Sequence, residues 1–72
     1  MPWYIVNNML KCVSDAEELL KRPPTHLEVF VIMKKRYPKL PINTVYECGA
    51  VMATLMREDW LYIDETASRV SL

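Results

Sequence analysis

The sequence predicts one small, mainly α-helical domain that closes with a short C-terminal β-ribbon. Three observations carry this: prolines that cut the chain into helix-length pieces, capping signals at the cuts, and a change to strand-like patterning after Asp59. Pro23-Pro24, Pro38 and Pro41 mark the cuts, because proline lacks an N–H and disfavours helical backbone in the residue before it. They leave an opening segment up to Arg22, a second from Thr25 to Tyr37, a third from Ile42 to Asp59, and a tail. At 72 residues the chain has room for one core, so residues 1–72 are expected to form a single domain.

In the opening segment Val6, Met9, Leu10 and Val13 fall on one helical face. Trp3-Tyr4-Ile5-Val6 taken alone also suits a strand. Ser14-Asp15-Ala16-Glu17 is a capping box, so the expectation is a helix with a break near Ser14. In the second segment, Leu27 to Met33 has the β-branched and aromatic content of a buried strand. Thr25-His26-Leu27-Glu28 is nevertheless a second capping box, worth roughly 1 kcal/mol to a helix start. Lys34, Lys35 and Arg36 then occupy the last turn, where the helix dipole favours cations. Signals at both ends decide for a helix, buried on more than one side.

In the third segment Val45, Cys48, Met52, Leu55 and Met56 recur at helical spacing and make a core face, with Asn43 as the expected N-cap. Asn43, Glu47, Ala50, Thr54 and Arg57 fall largely on the other side. Trp60-Leu61-Tyr62-Ile63 suits a strand, Glu65-Thr66-Ala67-Ser68 a loop, and Arg69-Val70-Ser71-Leu72 a returning strand.

Composition narrows the function. Nine Lys+Arg balance nine Asp+Glu, and 51% of residues are hydrophobic, which excludes a disordered polar chain and implies that some of the apolar bulk meets a partner. The neutral total hides polarity. Residues 34–57 carry five basic groups and one acidic, whereas residues 58–72 carry one basic and four acidic. Cys12 and Cys48 match no metal-ligand spacing and His26 is the one histidine, so no metal, no cofactor and two reduced, largely buried thiols are expected. No leader-like start and no apolar run near 18 residues appear, so the expectation is a cytoplasmic protein with no membrane contact. No glycine-rich phosphate loop is present, the carboxylate pairs Glu17/Glu18 and Glu58/Asp59 are adjacent in sequence, and His26 has no neighbouring nucleophile. The chain is not expected to be an enzyme.

One stretch carries more. A helix ending Lys34-Lys35-Arg36-Tyr37-Pro38, a short connection, Asn43-Thr44-Val45-Tyr46, an apolar periodicity, and then Arg57-Glu58-Asp59-Trp60-Leu61 resembles winged helix-turn-helix domains. Within these it is loosely similar to the DNA-binding half of ferric-uptake-regulator-type repressors, over about 40 residues from Pro24 to Asp64. The resemblance implies a winged helix-turn-helix fold and double-stranded DNA as partner. It places the third helix in the major groove, with Asn43, Thr44, Tyr46, Glu47 and Ala50 nearest the bases and backbone. Lys34, Lys35, Arg36 and Lys39 would neutralise phosphates, and Arg69 would be the wing's contact. The plainer reading of the same residues has Asn43 capping the helix, Tyr46 packed on the second helix, Arg69 paired across the ribbon with Asp64, and the basic cluster as solubilising charge. Trp3 and Trp60 read as core or interface aromatics. This chain departs from the family in having Glu47 where a basic residue usually follows the Val-Tyr pair, and Asp59 where a glycine usually ends the helix. The metal-binding and dimerisation half of such repressors is absent.

A transcriptional regulator acting as a homodimer is the leading expectation. The alternative is a protein-interaction module, an adaptor or a phage-type inhibitor of a host protein. Its acidic residues Glu58, Asp59, Asp64 and Glu65 would meet a basic partner surface.

Overall fold

The computed structural model describes residues 1–64 and 69–72. The loop expected over Glu65-Thr66-Ala67-Ser68 lies outside the described residues. Three helices, α1 (Trp3–Leu20), α2 (His26–Arg36) and α3 (Val45–Arg57), are followed by an antiparallel ribbon of β1 (Tyr62–Asp64) and β2 (Arg69–Ser71).

The first helix runs without interruption through Ser14, so the expected break does not occur. Its buried stripe of Ile5, Val6, Met9, Cys12, Val13 and Ala16 continues at three- and four-residue spacing on both sides of Ser14. A cap there would swing Ala16 out of register with Cys12 and Val13, and burial of that stripe outweighs a local cap of about 1 kcal/mol. Trp3-Tyr4-Ile5-Val6 joins the same helix, whose first bonds run from the Ile5 and Val6 N–H groups to the Pro2 carbonyl. The helix stops at Lys21, which takes left-handed backbone at φ 59° and donates its N–H to the Glu17 carbonyl.

The Thr25 box forms as expected. The Glu28 N–H donates to Thr25 Oγ1 at 3.3 Å, and the Thr25 N–H donates to Glu28 Oε1 at 2.9 Å. Burial of this helix is one-sided rather than general. Val29 and Met33 are enclosed, Phe30 and Ile32 are partly covered, and Leu27 and Val31 stand exposed. The sequence read its β-branched density as burial, but only the neighbours of Val29 and Met33 fall in the core.

For α3 the cap is Thr44, one residue later than expected, with its hydroxyl accepting the Glu47 N–H at 3.1 Å. The helix then ends in a Schellman motif: the Trp60 N–H donates to the Leu55 carbonyl, the Asp59 N–H donates to the Met56 carbonyl, and Asp59 holds φ 63°.

The core gathers the α1 stripe, Val29 and Met33, Leu40 and Ile42 from the α2–α3 connection, Cys48, Met52 and Leu55 from α3, then Leu61 and Val70. β2 is the inner strand of the ribbon. On one side it pairs with β1 in the register Tyr62–Ser71, Ile63–Val70 and Asp64–Arg69. On the other, the Val70 N–H donates to the Pro24 carbonyl at 2.8 Å and Arg69 bridges to Thr25. The entry to α2 is thereby sewn to the ribbon. None of the described helices is long and apolar enough to cross a membrane.

Candidate nucleic-acid interface

Lys34 at the end of α2, the α3 cap and the start of α3 come together. Lys34 Nζ reaches Asn43 Oδ1 at 3.4 Å, so the last turn of α2 lies beside the approach to α3. Lys35 is exposed on the next position. At the cap, the Thr44 hydroxyl also donates to Glu47 Oε1 at 3.2 Å, holding that carboxylate along the helix start. Tyr46 does not pack on α2. It is 86% exposed, the most exposed large apolar side chain described.

Tyr46, Ala50, Ala53 and Arg57 follow one another at positions i, i+4, i+7 and i+11, and so share a face of α3. Ala50 and Arg57 are exposed and Ala53 is half-buried. The Arg57 guanidinium donates to Thr54 Oγ1 at 3.1 Å, and that hydroxyl donates to the Ala50 carbonyl, so the arginine is steadied along the helix. Arg57 is readable from the sequence as a residue of the polar side, and its spacing from Tyr46 puts the two on one face.

The remaining basic residues go elsewhere. Arg36 forms an ion pair with Asp15 of α1, which draws it away from α3. Lys39 faces the same side as Arg36, on a shallow groove of about 400 Å³ that also takes in Tyr4 and Asn8. Arg69 stands across the ribbon from Asp64, with its Nε buried and without a hydrogen-bond partner. The expected single basic cluster is therefore divided: Lys34 borders the approach to α3, Arg36 and Lys39 border α1, and Lys35 stands exposed between them in sequence.

Trp3 and Trp60 are not core residues. They are 63% and 41% exposed and meet edge-to-face with ring centroids 5.7 Å apart, joining the start of α1 to the end of α3. Both cysteines are free and buried. Burial pushes each thiol up to about 11, with Asp15 adding to the effect at Cys12. At neutral pH each stays protonated, and the Cys48 thiol points at the His26 carbonyl at 3.9 Å. Among the described residues no group of three or more His, Cys, Asp or Glu is placed to hold a metal ion.

No family model, curated protein or solved structure matches this chain.

Proposed function

We propose that this is a winged-helix DNA-binding protein acting in transcriptional control, with α3 lying in the major groove. The observation that carries the reading is the outer face of α3. A major groove about 12 Å wide admits a helix, and small side chains along the contact line let the backbone approach. Ala50 and Ala53 supply that line, Tyr46 projects at its leading end, and Arg57 at its trailing end. Lys34, beside Asn43 at the leading end, serves as a phosphate contact together with the exposed Lys35 next to it in sequence, and Asn43 and Thr44 open the helix there. Glu47 is held beside Thr44, where its carboxylate is positioned to accept from a cytosine amine.

Two further features support the winged-helix reading. Asp59 adopts the left-handed backbone at the place where the resembling family uses glycine. The ribbon returns after α3 to bind the entry of α2. In this reading Arg69 serves the ribbon, and α3 with the end of α2 makes the contact. One copy presents a single α3 to the groove and so reads one half-site, and a dimer is the form proposed to read a two-half-site operator.

Fluorescence anisotropy with random duplex DNA, from about 50 to 200 mM salt, tests this. The log–log slope should be about −0.9 per phosphate contact, and shallower by up to about 2 units in Lys34→Ala/Lys35→Ala. Absence of binding at about 50 mM salt would sink the reading.

The exposed Trp3–Trp60 pair favours a second reading. It stands beside Glu58 and Asp59, a combination of aromatic and acidic groups suited to a basic protein surface. Capture of a partner by the wild type and its loss in Trp3→Ser, with DNA binding absent, would favour that reading.

A further inference from the structure

The groove between α1 and the α2–α3 connection has a division of chemistry that DNA contact does not use. On the α1 side stand Tyr4 and Asn8, one turn apart on the same face. On the connection side stand Tyr37 and Pro38, and the nearly buried Leu40 makes the floor. The backbone there is fixed. The Tyr37 N–H closes α2 on the Met33 carbonyl at 2.7 Å, and the Leu40 N–H donates to the Tyr37 carbonyl at 3.1 Å. Two aromatic residues on opposite sides of an apolar floor therefore belong to rigid elements.

The charged groups of the groove are Arg36 and Lys39, joined by the Asn8 amide and the Tyr4 and Tyr37 hydroxyls, with no carboxylate among the lining residues. Asp15 occupies one guanidinium nitrogen of Arg36, which leaves other N–H donors of its five. Lys39 takes part in neither the Arg22–Glu28 nor the Arg36–Asp15 ion pair. The volume of about 400 Å³ lies at the low end for small-molecule sites. It suits one or two rings rather than a nucleotide cofactor.

From these features we propose that the groove is a binding site for a small aromatic carboxylate, its ring between Tyr4 and Tyr37 over Leu40 and its carboxylate on Lys39 and Arg36. The apolar floor and paired aromatic walls select against a bare phosphate, which would use the cations alone. The lack of any lining carboxylate selects for an anionic over a neutral ring. This inference is independent of DNA binding, because none of its residues is among the DNA contacts proposed above.

Amide NMR titration of the full chain tests it with three probes: indole-3-acetate, the neutral indole-3-acetamide, and inorganic phosphate. The carboxylate should give saturable shifts at the Asn8 side-chain amide and the Lys39 and Leu40 backbone amides, with an affinity near about 1 mM. It should bind about tenfold more tightly than the amide. Lys39→Ala, a surface change that leaves the fold intact, should bring the two ligands to within about twofold of each other. Equal binding of carboxylate and amide by the wild type overturns the proposal, as does phosphate producing the same shifts. Perturbations centred away from the groove, or no shifts at about 5 mM of the carboxylate, overturn it too.

Discussion

Glu28 does two jobs with one carboxylate: Oε1 accepts the Thr25 N–H at the helix cap, and both oxygens accept from Arg22 at 2.9 and 2.7 Å. The Arg22 hydrogen bonds, followed by the Thr25 backbone bond, hold the Glu28 carboxyl down to about 2 from the usual 4.5. A depressed folded-state value means that the ionised form is favoured by folding. The stability it contributes is fully present above the unfolded value and is lost as pH falls from about 5 through about 2. Urea midpoints of wild type and Glu28→Gln should differ at pH 7 and converge near pH 2. A gap that stays constant across that range would show that ionisation of Glu28 does not stabilise the fold. The pair is partly exposed, so solvent and salt screen it, and the gap at pH 7 should narrow in about 1 M salt.

At the scale of the element, caps and buried stripes compete, and their energies explain which wins. Thr25 and Thr44 both initiate helices, but Thr25 belongs to a reciprocal box whereas Thr44 accepts one backbone N–H. Thr25→Ala should therefore cost about 1–2 kcal/mol and Thr44→Ala about 1 kcal/mol. Equilibrium unfolding in urea checks both, and a larger cost at Thr44 would contradict the ordering. Ser14 carries the same sequence pattern inside α1 and initiates nothing, because α1 is already helical on both sides and its core stripe runs past the site. The Thr44-Val45-Tyr46-Glu47 run repeats the pattern of Thr25-His26-Leu27-Glu28. That repetition marks Thr44, rather than the neighbouring Asn43, as the start of α3.

Across the whole molecule, the ribbon ties back onto the helices. Val70 and Leu61 are nearly fully buried, and β2 hydrogen-bonds the entry of α2 as well as β1. The Leu72 N–H also reaches Glu17 of α1 at 3.1 Å. The ribbon thus contacts the first two helices and continues from the third. Val70→Ala should cost about 2 kcal/mol by lost burial and the cavity left behind. In a domain of this size that lowers Tm by roughly 10 °C, in one cooperative transition. Two separated transitions on melting would show that the ribbon unfolds independently of the helices.

What the sequence by itself determined is local. The prolines, the Thr25 box and the Val45–Met56 periodicity placed three helices and a ribbon, since capping and burial period act over a few residues. The tertiary structure alone decided which apolar side chains are inside. Leu27, Val31 and Tyr46 look no less apolar in sequence than Val29 and Met33, yet they are exposed because the core lies against one side only of α2 and of α3. It also divided the basic cluster. Arg36 faces an acidic residue 21 positions away in the chain, a separation that no local pattern reports. Lys34 reaches the approach to α3 while Arg36 turns to Asp15 of α1, because positions two apart on a helix point about 200° apart, and the packing of α1 fixes which direction meets which surface.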